Sequence, residues 1–251
     1  MSVSDEIKAV YGALPGRDVE QGVPPIAPYI GTDYDGPENG RLRIAAVGIN
    51  SYYKGMVGHP PERFREWVEK PRYRFFTGIA REAEYLAADI AAQLGEGAVN
   101  FDIGTGLYVT NAVKRYLPEE CGRYAKDVHG VLFDEGTTVW KQELQLLANA
   151  GVLPHAIMVF GARSWEPVWR TLWELCEDQN EPAFIRYRSM PSGSPLYHRL
   201  NTVDVATPSG QRPLLLFRPD HASTSRKTTV SSLFAMPEFR ERVEELRGKI
   251  G

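Results

Sequence analysis

The apolar positions of the chain form two kinds of segment. Short, fully apolar runs are typical of buried strands, and apolar residues three or four positions apart are typical of amphipathic helices. The apolar runs predict strands at about 42–48, 107–111, 155–160 and 214–217, and alternating residues predict two more near 183–188 and 199–206. Helical spacing predicts helices at about 4–13, 78–94, 138–150, 165–177 and 237–249.

Strands and helices therefore alternate along the chain, and this order predicts the fold class. Alternating strands and helices build a mainly parallel sheet with helices on both faces. We expect an α/β fold, a three-layer αβα sandwich with a mainly parallel central sheet, in a single domain over 1–251. Because 14–40 is rich in Pro and Gly, segment 1–40 is expected to be an irregular N-terminal extension that wraps the core.

Polar residues stand where the predicted strands end. Asn50 follows the first strand, Asn111 ends the second, and His221 comes after the last. The carboxyl ends of parallel strands meet at one edge of a sheet, where open α/β proteins bind ligands. An amide can match the edge of a nucleic-acid base, and an imidazole N–H can stabilise negative charge on a leaving group. The sequence thus predicts a polar site at this edge.

Composition narrows the chemistry of such a site. The two cysteines are too few for a cysteine-ligated iron–sulfur cluster or a Cys₄ zinc site, and the five histidines lack HxxxH or HxH spacing. We therefore expect neither a metal nor a cofactor. There is no apolar run long enough to cross a bilayer and no secretory signal pattern, so we expect a cytoplasmic protein without a membrane partner. We also expect the protein to be a monomer. The net charge of -3 gives the whole protein no attraction for nucleic acid, so any contact with nucleic acid must come from a local basic face.

Four segments, in order, resemble motifs of the uracil-DNA glycosylase superfamily. They are Gly48-Ile49-Asn50-Ser51-Tyr52-Tyr53, similar to the water-activating motif; Arg74-Phe75-Phe76-Thr77-Gly78, similar to R-P-F-x-G of the iron–sulfur branches; Tyr108-Val109-Thr110-Asn111-Ala112-Val113-Lys114, similar to V-Y-x-T-N-x-V-K; and His221-Ala222-Ser223, similar to H-P-S. The chain departs from the family pattern at Ser51 and Ala222, where proline is usual, at Tyr52, which stands where the Asn-containing branches have glycine, and in lacking the cluster cysteines. The resemblance therefore implies a divergent member.

The resemblance implies hydrolysis of the N-glycosidic bond of a flipped, deaminated base in DNA, uracil above all, as a step of base excision repair. Asn50 would hold the attacking water, and His221 would donate to the uracil carbonyl. The base pocket would consist of Gly48, Ile49, Tyr52, Phe76 and Asn111, in which Tyr52 excludes a thymine methyl, Phe76 stacks on the base and Asn111 reads its polar edge. DNA contacts would come from Lys114, Arg115, Ser223, Arg226 and Lys227.

Other interpretations of the same residues stay open. Asn50 and Asn111 also suit turns or caps, and Phe76 suits a hydrophobic core. Tyr52 suits ordinary packing, and His221 suits a hydrogen-bonded structural role. The basic residues suit a solvated face. A non-catalytic protein of this fold that binds nucleic acid or a protein partner is the main alternative, favoured by Ser51 and the acidic net charge. An enzyme that acts on a free nucleoside or nucleotide is a third.

Overall fold

The structure is a computed structural model, and it describes residues 1–15, 25, 27–36, 40–48, 66, 74–95, 99–115, 126–160, 164, 168, 185–189, 200–219 and 237–250. Helices in this part of the chain are α1 (Val3–Gly12), α2 (Arg74–Leu94), α3 (Ile103–Gly106), α4 (Lys126–Asn149) and α5 (Pro237–Ile250). Strands are β1 (Tyr29–Ile30), β2 (Ile44–Gly48), β3 (Leu107–Asn111), β4 (Ala156–Val159), β5 (Ile185–Ser189), β6 (Leu200–Thr207) and β7 (Gly210–Phe217).

The strands form one sheet in the order β1-β3-β2-β4-β7-β6-β5. The four central strands, β3, β2, β4 and β7, are parallel to one another. The outer pairings, β1 with β3, β7 with β6 and β6 with β5, are antiparallel. The expected α/β fold with a parallel core is confirmed, but the parallel part is confined to these four strands.

The central strands are buried on both faces because alternate residues contact different helical layers. In β2, Ile44 and Ala46 pack in a cluster with α2 and α5, whereas Ala45 and Val47 pack in a cluster with α1 and α4. Every residue of β2 is buried, which explains why the segment appears in the sequence as a continuous apolar run. The expected three layers are therefore present.

The ends of three helices differ from the sequence predictions. Helix α1 begins at Val3, one residue before the predicted start, and is capped by Ser2, whose hydroxyl accepts from the backbone N–H of Asp5. Helix α2 begins at Arg74, four residues before the predicted start. Helix α4 begins at Lys126, twelve residues before the predicted start. The spacing of apolar residues indicates where a helix lies more closely than where it begins.

Two elements near the N-terminal side of the sheet were not predicted. The two-residue strand β1 lies in the segment expected to be irregular, and it pairs with Tyr108 and Val109 of β3. The single turn α3 immediately precedes β3. Neither is long enough to show a period in the sequence. The predicted helix 165–177 lies outside the described residues apart from Val168, and the single-domain prediction stays a prediction.

None of the helices in the described ranges is long and apolar enough to span a bilayer.

The amino ends of β2 and β4 are joined by a buried histidine. His155 lies just before β4, and Arg43 lies just before β2. The ring Nδ1 of His155 accepts a hydrogen bond from the backbone N–H of Arg43 (2.9 Å), and the backbone N–H of His155 donates to the Arg43 carbonyl (2.8 Å). Burial lowers the pKa of His155 well below its ordinary value of 6.5, and the charges of Arg212 and Arg43 lower it further. The ring is therefore neutral in the folded protein.

This histidine predicts a loss of stability in mild acid. Its folded pKa is depressed, so the unfolded chain binds more protons below pH 6.5; the contribution is complete above that pH and falls as the pH drops towards the folded pKa. The expected slope from this group is at most about 1.4 kcal/mol per pH unit. Urea unfolding of wild type and His155→Asn between pH 7.5 and 5 measures it, since asparagine keeps an acceptor but does not titrate. Equal slopes in the two proteins would contradict the prediction.

Candidate functional site

The carboxyl edge of the parallel strands is the candidate site. Strands β3, β2, β4 and β7 lie side by side in one direction, so they all end at this edge. Gly48 is the last residue of β2 and is paired in register with Asn111, the last residue of β3. Two of the four motif-like segments are therefore neighbours across a single strand pair, in the place where α/β sheets bind ligands.

Backbone hydrogen bonds join three of the strand ends. The N–H of Ala112 donates to the carbonyl of Gly48 at 2.8 Å, which extends the β3–β2 pairing beyond the last ladder residue. The N–H of Phe160 donates to the carbonyl of Val47 at 2.9 Å and does the same for β4 and β2. Gly48 is buried and Asn111 is half-buried. The backbone that carries the Asn111 side chain is therefore fixed by its hydrogen bonds to β2.

A small cavity lies next to Asn111. Its volume is about 10 Å³, and it is lined by Val47, Asn111, Ala112, Gly136, Thr137, Trp140 and Val168. A cavity of this size holds about one water molecule, whereas a small-molecule site needs some hundreds of Å³. The residues that line this cavity therefore do not by themselves make a base-sized pocket.

The other predicted site residues on this edge lie outside the described residues. They are Ile49, Asn50 and Tyr52, which follow Gly48 in the sequence, and His221, Ser223, Arg226 and Lys227, which follow β7. Asn50 comes two residues after the end of β2 and His221 four residues after the end of β7. Their predicted roles stay predictions.

Lys114 corrects one prediction. It was expected to contact DNA phosphates, but its side chain is 1% exposed. Its Nζ donates to Thr110 Oγ1 at 2.7 Å and forms an ion pair with Glu143 Oε1 at 2.9 Å. The ammonium also lies 5.0 Å from the centre of the Trp140 ring, within reach of a cation–π interaction. Burial lowers the pKa of Lys114, and the Glu143 carboxylate opposes that shift.

Arg115 is a second correction of the same kind. Its guanidinium forms a two-pronged pair with Glu135 of α4, with Nε 2.6 Å from Oε1 and one terminal nitrogen 2.9 Å from Oε2. The same terminal nitrogen donates to the carbonyl of Pro15 at 2.9 Å. The residue is 1% exposed. Both basic residues follow β3 on the side that packs against α4, so phosphates cannot reach them and the prediction for them is wrong.

Lys114 belongs to a buried polar group that the sequence did not reveal, which we call the Glu143 cluster: Tyr11, Tyr108, Thr110, Lys114, Trp140 and Glu143. The Tyr11 hydroxyl of α1 donates to Glu143 Oε1, the oxygen that also pairs with Lys114. Burial raises the pKa of Tyr11 and of Tyr108 well above 10, and the negative charge of Glu143 raises both further. Both tyrosines are therefore neutral, and the carboxylate and the ammonium are the charges of the cluster.

One sequence signal could have indicated Glu143. Trp140, Leu144 and Leu147 form the apolar face of the predicted helix, and Glu143 lies at i+3 from Trp140, on that same face. A carboxylate on an apolar stripe requires a buried partner. The partner, Lys114, is 29 residues earlier in the chain, and nothing local connects the two.

Phe76, expected to stack on the base, is in the first turn of α2 and is 7% exposed. It belongs to the core cluster between the sheet and α2. Such burial agrees with the core interpretation of this residue, and base stacking by Phe76 stays a prediction.

No protein-family model matches the chain, and no curated protein shows significant sequence similarity to it. Within the described part of the chain, no three His, Cys, Asp or Glu side chains are grouped closely enough to hold a metal ion.

Proposed function

We propose that the protein is a DNA glycosylase of the uracil-DNA glycosylase type, which hydrolyses the N-glycosidic bond of a flipped, deaminated base. The observation that carries the proposal is the in-register pairing of Gly48 with Asn111. It brings the water-motif-like segment and the base-reading-motif-like segment together at the carboxyl edge of parallel strands. The proposed site requires these two segments to lie side by side, and the observed register meets that requirement.

The proposed reaction begins with a base outside the duplex. Extrusion costs a few kcal/mol and is least costly for a damaged or mispaired base. Asn111 offers both an acceptor and donors to the polar edge of uracil, Phe76 stacks on its face, and Tyr52 crowds its C5 position. As the glycosidic bond breaks, negative charge gathers on the base and His221 donates to its O2 carbonyl.

The attacking water is assigned to Asn50. A neutral amide cannot remove a proton as a carboxylate does, so Asn50 acts by orientation. Orientation is sufficient where the sugar cation forms before the water attacks, because little deprotonation is then needed. The expected rate is lower than that of an enzyme with a carboxylate in this place.

Since Lys114 and Arg115 are internal, the proposed phosphate contacts are Ser223, Arg226 and Lys227. These follow His221 in the sequence, as the loop that enters the DNA follows the H-P-S motif in the resembling family. Binding to DNA is expected to weaken with salt in proportion to the few phosphates contacted.

A base-release screen tests the proposal. Single- and double-stranded oligonucleotides that contain uracil, hypoxanthine, xanthine or mispaired thymine are incubated with the full chain and then treated with alkali, which cleaves abasic sites. We expect strand cleavage with uracil and none with an undamaged oligonucleotide. Salt-dependent DNA binding without cleavage would instead support the non-catalytic alternative, and base release from free uridine alone would support the nucleoside enzyme.

A further inference from the structure

The turn that carries Asn111 is held from three sides. On the first side, the N–H of Ala112 is bonded to Gly48 of β2. On the second, α4 approaches so closely that a Cβ added to Gly136 would overlap the carbonyl oxygen of Ala112. A side chain at position 136 would therefore have to push the helix or the turn away.

The third side is closed by Lys114. Its Nζ donates to Thr110 Oγ1 at 2.7 Å. The side chains of Thr110 and Lys114, which precede and follow Asn111 in the sequence, are therefore directly hydrogen-bonded. The same nitrogen is anchored to Glu143 of α4 at 2.9 Å, and Glu143 is in turn held by Tyr11 of α1. Asn111 lies within this closed span.

The ion pair is shielded from solvent, because the side chains of Lys114 and Glu143 are 1% and 0% exposed. A buried pair with additional hydrogen bonds has little freedom, since any departure leaves a charge unpaired in a medium of low polarity. Such a pair can set the geometry of a neighbouring backbone but cannot bind a phosphate.

We propose that Lys114 and Glu143 are positioning residues that hold the Asn111 amide against the edge of the bound base, and that they do not contact DNA. The inference rests on the proposed function, because Asn111 is the base-reading residue only there. Because Tyr11 of α1 holds Glu143, helix α1 also helps to support the site.

The test compares wild type with Lys114→Met/Glu143→Leu, which removes both charges but keeps similar side-chain volumes. Three quantities are measured on the full chain: hydrogen exchange of the Ala112 amide, the Kd for free uracil by NMR titration, and the affinity for an undamaged duplex as a function of salt. We expect faster exchange by at least about tenfold and uracil binding weaker by about ten- to a hundredfold. Affinity for the undamaged duplex and its salt slope should not change.

The possible outcomes separate this inference from the proposed function. Unchanged exchange at Ala112, or faster exchange with unchanged uracil affinity, overturns the inference. A salt slope lower by about one also overturns it, because Lys114 would then contact a phosphate. If wild type neither releases uracil from oligonucleotides nor binds free uracil, the proposed function fails, and exchange at Ala112 alone decides whether the Lys114–Glu143 pair fixes the turn. Should the double variant not fold, Tyr11→Phe, which keeps the ion pair and removes only the hydroxyl that holds Glu143, is measured in the same way.

Gly136→Ala approaches the same turn from the helix. We expect it to weaken uracil binding, as the double variant does, because the new methyl group must displace either Ala112 or helix α4, which carries Glu143. Gly12→Ala is the matched control, since a Cβ at Gly12 of α1 meets no atom within 4 Å. Equal uracil affinity in Gly136→Ala and wild type would show that this contact can be disturbed without loss of base binding, and would contradict the proposed positioning.

Discussion

Replacing Lys114 with methionine is expected to lower the free energy of unfolding by about 3–5 kcal/mol. The substitution leaves the carboxylate of Glu143 buried, still bonded to Tyr11 but without its cation. Removing one partner of a buried pair is costly because the remaining charge has lost both water and its counterion. Urea unfolding at pH 7 measures the loss.

Two comparisons make this result specific. Lys114→Met/Glu143→Leu is expected to recover most of the loss, because a buried ion pair and an apolar pair of similar volume differ little in stability. Arg242→Met breaks the pair of Arg242 with Glu245 in α5 (2.7 Å), whose partners are 29% and 36% exposed, and should cost less than about 1 kcal/mol. If Lys114→Met costs no more than Arg242→Met, the described burial of the Glu143 cluster is wrong.

Asn50→Ala and His221→Ala are expected to lower the rate of uracil release by about 10²–10³ each. His221 acts on the charge of the leaving base and Asn50 on the water, so neither substitution should alter affinity for an undamaged duplex. Single-turnover cleavage of a uracil-containing oligonucleotide gives the rate. Asn149→Ala, which removes an exposed amide at the end of α4, is the control and should leave the rate unchanged.

These two variants decide the assignment of roles. Cleavage that continues at the wild-type rate in both of them would remove Asn50 and His221 from the chemistry, whatever the base preference. A loss in His221→Ala alone would leave the water to another group and keep the electrostatic part of the mechanism.

The parallel core of the fold is strongly determined by the sequence. The strand Leu107–Asn111 was predicted with its observed ends, and the runs near 42–48 and 155–160 became β2 and β4 with shorter bounds. These strands are buried on both faces, so nearly every residue in them must be apolar. The directions of β5 and β6 were not predictable, because alternation of side chains is the same in parallel and antiparallel strands.

The candidate site was determined only in part. The sequence placed Gly48 and Asn111 at strand ends, and the observed register makes them neighbours. It did not distinguish a basic residue that meets solvent from one that pairs inside the protein: Lys114 and Arg115 look like a basic patch in the sequence and are internal in the fold. The sequence around a charged residue does not indicate its partner when that partner is on a distant helix.

The sequence by itself therefore determined which segments are strands and helices and which polar residues stand at the strand ends, because burial imposes a period on the local pattern. Only the tertiary structure decided that α4 lies over the end of β3, with Gly136 against Ala112 and Glu143 on Lys114. Those contacts join residues 24 and 29 positions apart. Their formation depends on how whole layers pack, which no local pattern encodes.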